Sequence, residues 1–276
     1  MSGNSAQSVN PRLGFLGTGN MGGALARAAC LRLPGDHVRL ANRTMSKAES
    51  LARELGCQTG SNGEVAAWAD FLFLGVKPQM MRGLLEDIHP VLAKRERPCI
   101  LVTMAAGLTM AQIRTLAGVD FPVLRIMPNT PSSIGEGMIL YTCGEGVTEE
   151  DEALFLSSMA GAGRFAAVAE HLIDAGSAVS GCGPAFADLF LEALADGGVA
   201  CGLPRALAME LAAQMLVGSA RLAQESGKHP GALKDAVCSP AGSTIQGVRA
   251  LERGGFRGTV IEAVISAFEK NQELGK

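Results

Sequence analysis

The sequence has few aromatic residues and little excess charge of either sign. Aromatic residues make up 4% of the 276, and the formal net charge is −3. Proteins that bind nucleic acid or anionic membranes carry basic runs, often with interleaved aromatic residues, and no such run is present. We therefore expect no nucleic-acid partner and no membrane partner. The expected ligand is a small molecule.

Paired cysteines, targeting signals and membrane spans are missing too. The seven cysteines include no Cys-x-x-Cys pair and no cluster with metal-ligand spacing, so we expect reduced thiols, no metal site and a cytoplasmic location. The residues before Pro11 have no signal-peptide pattern, and residues 1–11 are predicted to be a disordered leader. No apolar run approaches the ~20 residues of a membrane span without a charge or a glycine.

A glycine-rich turn, Gly17-Thr18-Gly19-Asn20-Met21-Gly22, is the most informative feature that is present. It follows the apolar run 13–16 and precedes the helix-compatible run 21–33, which is the strand, turn and helix order of a dinucleotide-binding site. Gly17 would allow the tight turn, Gly19 the close approach of a pyrophosphate, and Gly22 the packing of helix on strand. The start of the helix would supply free N–H groups to the phosphate.

The second predicted strand, 37–41, ends where the adenosine ribose would lie. An NAD site usually has Asp or Glu there, whereas this chain has Asn42-Arg43-Thr44, with Lys47 one helical turn further on. A guanidinium can bind a 2′-phosphate through two charge-assisted hydrogen bonds, which a carboxylate would repel. The sequence favours NADPH, with NADH less preferred. The alternative is that Arg43 is a solvated surface charge.

Short apolar runs alternate with helical patterns through the first half of the chain. Buried strands are predicted at 71–76, 99–104 and 123–126, with helices at 80–93 and 109–116 between them, and a short strand at 164–168 is predicted to complete the sheet. This alternation predicts a doubly wound parallel sheet, whose ligand groups lie at the carboxyl ends of its strands. Those ends are Val76-Lys77-Pro78, Ala105-Ala106-Gly107 and residues 127–131.

The strand pattern disappears after about residue 170. Helices are predicted at 171–179, 184–199, 204–225, 233–237, 242–251 and 258–273. We therefore predict an α/β fold: a Rossmann-type dinucleotide-binding domain at 12–169 and an all-α domain for dimerisation and substrate binding at 170–276. The helix 204–225 is apolar over most of its circumference, which predicts a homodimer interface. The alternative is a core helix within a monomer.

A polar cluster rich in glycine and proline lies at 231–245. Asp235 and Cys238-Ser239 flank a turn, and Ser243-Thr244 begin the next predicted helix. Hydroxyls and free amides at a helix start can hold a carboxylate. The alternative is that Ser243 or Thr244 only caps the helix.

Together these motifs resemble the pyrroline-5-carboxylate reductases over residues 12–270. The glycine turn, Asn42-Arg43, Val76-Lys77-Pro78, the segment 127–131 and residues 180–185 occur in the order of that family. The Asp-x-Val-x-Ser-Pro-x-Gly-x-Thr pattern at 235–244 is its most specific part. Two positions depart from it: Ala241 stands where many relatives have a glycine, and Cys182 where a serine is more usual.

The resemblance implies NAD(P)H-dependent reduction of 1-pyrroline-5-carboxylate to L-proline, the last step of proline biosynthesis. It implies cofactor contacts for Gly17, Thr18, Gly19, Asn20, Met21, Asn42, Arg43, Thr44, Asn62, Val76, Lys77, Pro78 and Ala105. It implies substrate contacts for Asp235, Val237, Ser239, Gly242, Ser243 and Thr244. Thr244 would lie nearest the imine nitrogen and Lys77 would act near the nicotinamide, as the two catalytic candidates. Members form dimers, and some form decamers.

Two alternatives remain open on the residues themselves. A β-hydroxyacid dehydrogenase would share the glycine turn but needs a catalytic lysine on a second-domain helix, for which only Lys234 lies in the polar cluster. A dinucleotide-binding sensor without catalysis would have little need of that cluster. An imine already protonated from solution needs no strong acid, which agrees with the scattered positions of the four histidines.

Overall fold

The computed structural model describes residues 10–274, so the predicted leader lies outside the described residues except for Asn10 and Pro11. The described chain forms two compact units. The first contains the residues up to Gly181 together with 268–274, and the second is Cys182–Ala267. Helix 173–180 belongs to the first unit because Ile173 packs with Met127 and Leu140. The domain boundary at 169 stays a prediction.

The first unit combines one sheet with helices on both of its faces. The strands are β1 (Leu13–Leu16), β2 (Val38–Ala41), β3 (Gln58–Thr59), β4 (Phe71–Leu74), β5 (Ile100–Thr103), β6 (Val123–Met127), β7 (Gly137–Cys143) and β8 (Gly163–Ala167). The helices are α1 (Asn20–Cys30), α2 (Met45–Leu55), α3 (Asn62–Trp68), α4 (Pro78–Leu92), α5 (Met110–Ala117), α6 (Glu149–Met159) and α7 (Ile173–Ser180).

The strand order is β3-β2-β1-β4-β5-β6-β7-β8. Every neighbouring pair is parallel except β6 and β7, which run antiparallel. The predicted doubly wound architecture is confirmed. The strand order reverses at β1, which lies between β2 and β4, and ligands of such sheets bind outside the carboxyl ends at this reversal.

Alternating side chains of the central strands fill two cores, one on each face of the sheet. Phe71 and Phe73 belong to one core and Leu72 and Leu74 to the other. Phe73 stacks on Phe15 with ring centroids 4.3 Å apart. A strand buried on both faces reads as a continuous apolar run, which is why these strands were visible in the sequence.

The second unit is helical. It contains α8 (Gly183–Ala200), α9 (Arg205–Ser226), α10 (Pro230–Ala236), α11 (Ser243–Arg253) and most of α12 (Phe256–Leu274). In the single chain, large apolar side chains of α9 remain 37–55% exposed, among them Leu207, Met209 and Leu211. The helix is therefore not a core helix enclosed within one chain.

One helical stretch among the described residues, 170–200, is long and apolar enough to span a membrane by length and composition only. It includes α7 and the apolar helix α8. The core helices of soluble proteins pass the same test of length and composition.

Candidate active site

The glycine turn after β1 is packed so closely that a side chain would not fit at Gly22 of the turn or at Gly75, which contacts the turn from the end of β4. Gly17 has φ +102° and donates its N–H to Ala41 O at 2.9 Å. A Cβ at Gly22 would lie 2.1 Å from Gly17 O, and one at Gly75, after β4, would lie 2.5 Å from the same oxygen. The turn therefore requires glycine at both contact points for steric reasons.

Gly19 differs because a Cβ there would meet nothing within 4 Å. Gly19 is the N-cap of α1 and has no side chain to accept the first N–H groups of the helix. Next to it, the buried Thr18 Oγ1 has no hydrogen-bond partner in the described part of the chain. Free helix N–H groups beside an unpaired buried hydroxyl are suited to bind a phosphate.

A cleft of about 1110 Å³ opens at this turn within the first unit. Most of the predicted cofactor-binding residues line it: Gly17, Thr18, Gly19, Asn20, Asn42, Arg43, Thr44, Asn62, Val76 and Lys77. Met21, Pro78 and Ala105 do not line it. Met21 lies in the first turn of α1 and Pro78 is the first residue of α4. Ala105 is buried, and its N–H donates to Thr103 Oγ1 at 3.4 Å.

The positive charges on the cleft wall are not equivalent. Arg27 of α1 forms a two-pronged ion pair with Glu54 of α2, which lowers the pKa of that carboxyl. Arg43, Lys47 and Lys77 form no ion pair among residues 10–274, and all three are exposed. The positive charge of this cleft that forms no ion pair in the described chain therefore lies just after β2, on Arg43 and Lys47, and at the start of α4, on Lys77.

Asn62 enters the cleft because α3 starts with a capping box. Ser61 Oγ accepts the N–H of Glu64, and Glu64 Oε2 accepts the N–H of Ser61 at 2.7 Å. Asn62 is then the first helical residue, and its Nδ2 donates to Asp87 Oδ2 of α4 at 3.1 Å. Asp87, Ser133 and the Arg27–Glu54 pair also line the cleft, but no sequence motif marks them, because they arrive by tertiary packing.

The polar loop after α10 belongs entirely to the second unit. Gly242 is the N-cap of α11, and a Cβ there would lie 2.3 Å from Ser239 Oγ. The N-cap position is therefore occupied by Gly242, which has no side chain to cap the helix, and not by Ser243 or Thr244. Both of these residues are exposed in the first turn of α11. Free N–H groups and two hydroxyls at the start of α11 suit a carboxylate.

The other predicted substrate contacts lie on the same segment. Val237 and Ser239 are exposed, and so is Asp235, which is paired with the Lys234 ammonium. This pairing leaves the only lysine of the cluster engaged with a neighbouring carboxylate. Ala241 is the one described residue other than glycine with positive φ, at 57°.

Three histidines have local structural contacts. His37 Nδ1 lies 3.3 Å from Pro11 O, His89 Nδ1 lies 2.9 Å from Ala117 O, and His229 Nδ1 accepts the N–H of Gly231 at 3.1 Å. Within the described range, no three His, Cys, Asp or Glu residues form a group that could hold a metal ion.

Two known protein families match this chain, one over residues of each unit. Residues 170–274 match the family described as pyrroline-5-carboxylate reductase dimerisation, and residues 12–107 match NADP oxidoreductase coenzyme F420-dependent. Pyrroline-5-carboxylate reductase of Escherichia coli is 40% identical over 97% of this chain and 100% of its own length.

Two solved structures have the same fold along nearly all of the chain. Pyrroline carboxylate reductase of Plasmodium falciparum, with NADP bound, has a TM-score of 0.84 and 31% identity, covering 97% of this chain and 99% of that one. A pyrroline-5-carboxylate reductase of Coxiella burnetii has a TM-score of 0.88 and 30% identity, covering 97% and 100%.

Proposed function

The chain belongs to the pyrroline-5-carboxylate reductase family, and from that premise we propose which of its residues carry the reaction. It is an NAD(P)H-dependent oxidoreductase that reduces 1-pyrroline-5-carboxylate to L-proline, the last step of proline biosynthesis. The observation that ties this activity to the cleft is the unpaired buried hydroxyl of Thr18 beside the uncapped start of α1.

NADPH, when bound, supplies the hydride for the imine carbon. The turn Gly17, Thr18, Gly19, Asn20 and Met21 binds its pyrophosphate. Two observations support this assignment: the space above Gly19 is open, and Thr18 Oγ1 has no other partner among the residues described. Both features leave polar groups free for phosphate oxygens.

Asn42, Arg43 and Thr44 hold the adenosine ribose and its 2′-phosphate, and Asn62 contacts the adenine or ribose. Arg43 is exposed on the cleft wall, and its guanidinium has no ion pair within the described chain. Asn42 is preorganised, because its Nδ2 donates to Thr44 O at 3.2 Å. An unpaired guanidinium at this point favours NADPH over NADH.

Val76, Lys77, Pro78 and Ala105 border the nicotinamide end. Lys77 is the N-cap of α4, its side chain is exposed, and it forms no ion pair among residues 10–274. We assign it to orienting the cofactor and substrate through charge rather than to proton abstraction.

The loop 235–244 binds the substrate. Free N–H groups at the start of α11, with Ser239, Gly242 and Ser243, hold the substrate carboxylate, and Asp235 and Val237 complete the wall. The iminium nitrogen carries a proton from solution before reduction, so the carbon gains a hydride and no side-chain acid is required. The Thr244 hydroxyl accepts a hydrogen bond from this N–H and orients the ring.

The chain forms a homo-oligomer. We propose that two copies pair through the apolar faces of the helical unit, and light scattering distinguishes this dimer from the decamer that the family resemblance implies for some members. The match to the dimerisation family begins at residue 170, which supports domains at 12–169 and 170–276. We also propose a cytoplasmic location, because no disulfide joins the seven cysteines.

The test is NADPH oxidation by the purified chain given pyrroline-5-carboxylate, with NADH as the parallel cofactor. A β-hydroxyacid with NADP⁺ serves as the substrate control. Rapid imine-dependent oxidation that prefers NADPH is expected. Oxidation of the hydroxyacid instead, or cofactor binding without turnover of either substrate, contradicts the proposal.

A further inference from the structure

Two cysteines of the first unit, Cys30 and Cys57, lie where the two helices next to the glycine turn end. Cys30 is the last residue of α1, and Cys57 follows the end of α2 after Gly56. Both side chains are half-buried and pack against the same core on one face of the sheet. They do not line the cofactor cleft, which is formed by residues at the opposite ends and along the sides of these helices.

The ends of α1 and α2 are held side by side by an ion pair and by close backbone packing. Arg27 and Glu54 each lie three residues before one of the two cysteines, and Arg27 Nη2 donates to Glu54 Oε2 at 2.8 Å. The chain that follows α1 runs against the segment that follows α2. A Cβ at Gly35 would lie 1.9 Å from Gly56 O and 3.3 Å from Cys57 Cα. The position of the two cysteines is therefore fixed by contacts on both sides of them.

The two thiols contact each other. The Cys57 thiol donates a hydrogen bond to the Cys30 sulfur, which lowers the pKa of Cys30 below that of an ordinary thiol. The same hydrogen bond, together with burial, raises the pKa of Cys57. The thiolate is the form of cysteine that reacts with oxidants, and a second thiol beside it can complete a disulfide. Cys30 is therefore suited to react first and Cys57 to react second.

The other five cysteines, all within the described residues, have different surroundings. Cys99 is 1% exposed, and burial raises its pKa to about 11. Burial and a neighbouring glutamate raise the pKa of Cys143 to about 11 as well. Cys182 and Cys201 flank α8, whose 18 residues hold them about 27 Å apart, and Cys238 lies in the loop after α10. Cys201 is exposed, which makes it a useful control.

We propose that Cys30 and Cys57 form a modification site for peroxides, at which a two-electron oxidation closes a disulfide between the ends of α1 and α2. The Cys30 thiolate attacks one oxygen of hydrogen peroxide, and the O–O bond breaks. The sulfur becomes a sulfenic acid, and the departing hydroxide takes up the proton of the Cys30 thiol as water. The Cys57 sulfur then attacks the Cys30 sulfur, the S–O bond breaks, and a second water leaves with the Cys57 proton.

Two thiols and one hydrogen peroxide thus give one disulfide and two waters. Disulfides of cytosolic proteins are usually transient and redox-sensing, and thiol–disulfide exchange reverses them. This agrees with the cytoplasmic location that we propose for the chain. Neither cysteine is among the residues assigned to the cofactor or the substrate, so the proposal does not depend on the reduction of the imine.

The test treats the purified full chain with hydrogen peroxide, blocks the remaining thiols with N-ethylmaleimide and digests the product with trypsin. Arg32 and Arg53 lie between the two cysteines, so trypsin places Cys30 and Cys57 on separate peptides. These two peptides stay joined only through a disulfide, which mass spectrometry detects. We expect the joined peptide, the loss of two of the seven thiols, and the recovery of both thiols with dithiothreitol.

Three serine variants assign the steps, because serine is close to cysteine in size. Cys57→Ser should stop the reaction at the sulfenic acid of Cys30, which dimedone traps. Cys30→Ser should oxidise Cys57 at least about tenfold more slowly than the unmodified chain does. Cys201→Ser is the matched control, because Cys201 is exposed in the second unit, and it should form the same joined peptide at the same rate.

An equal loss of all the exposed thiols, or the absence of the joined peptide, overturns the proposal. A joined peptide that forms only in urea overturns it too, because the folded chain would then keep the thiols apart. A cross-link between two chains that Cys201→Ser abolishes would place the oxidation on Cys201 instead. The mapping of the unmodified chain decides the proposal even where a variant fails to fold. If that chain forms the joined peptide but does not reduce pyrroline-5-carboxylate, the proposed function fails and the modification site stands.

Discussion

Replacing Arg43 tests the cofactor assignment most directly, because its charge lies on the cleft wall and contacts no acidic side chain in the described residues. An exposed residue without such contacts contributes little to folding, so Arg43→Ala should change the free energy of unfolding by less than about 0.5 kcal/mol. Any large effect on cofactor binding then reports on the ligand contact alone.

The expected loss follows from the interaction that would disappear. A hydrogen bond to a charged group contributes about 1.5–3 kcal/mol, which corresponds to roughly a 10-fold to 150-fold weaker binding of NADPH. Arg43→Glu adds repulsion of about 1 kcal/mol or more between like charges some 4 Å apart. NADH has no 2′-phosphate, so its affinity should change by no more than about twofold.

The assay is fluorescence titration of both cofactors at low and high salt. Arg82→Ala is the matched control, because Arg82 is exposed on α4 and does not line the cleft. The NADPH effect of Arg43→Ala should shrink at high salt, since the contact is exposed. Equal losses for NADPH and NADH would refute the assignment of the 2′-phosphate to the end of β2.

Three further substitutions separate structural from chemical roles. Thr244→Val should lower kcat at least tenfold while leaving NADPH affinity unchanged, and Thr244→Ser should restore most of the activity; near-normal turnover of Thr244→Val would remove Thr244 from the mechanism. Gly19→Ala should fold normally but bind NADPH about tenfold less tightly, whereas Gly22→Ala should lower Tm because its Cβ would lie 2.1 Å from Gly17 O; equal Tm values would contradict this contrast. Ala241→Gly should raise Tm by about 2–4 °C, because alanine at φ 57° is strained by about 1 kcal/mol, and a lower Tm in thermal unfolding would argue against strain.

The first unit was largely predictable because its strands are buried on both faces and therefore read as apolar runs. Two strands escaped this signal. β3 has only Gln58 and Thr59, both exposed, so no hydrophobic pattern marks it. β7 follows β6 through a short 3-10 turn at Thr130–Ile134 instead of a helix, and it runs antiparallel, so the expected alternation of strand and helix fails there.

The glycine turn and the loop 235–244 could be found from the sequence because backbone geometry restricts the residue type at their turns. Asp87 and the Arg27–Glu54 pair could not, since they reach the cleft from helices whose relative placement is set by packing. Asn129 shows the opposite difficulty. A polar residue at the carboxyl end of a strand suggests a ligand contact. The side-chain amide of Asn129, however, already donates a hydrogen bond to Ser180 O and accepts one from the Met138 N–H.

The apolar surface that α9 leaves exposed in the single chain has a consequence for how the protein is made. The sheet unit has its own two cores within one chain. In the pairing that we propose, the helical unit would hide its apolar side chains only when a second chain arrives. That last stage is a bimolecular event, so its rate depends on how many chains are present, and Tm should rise with protein concentration. A newly synthesised chain would therefore acquire a cofactor cleft before it acquires a partner.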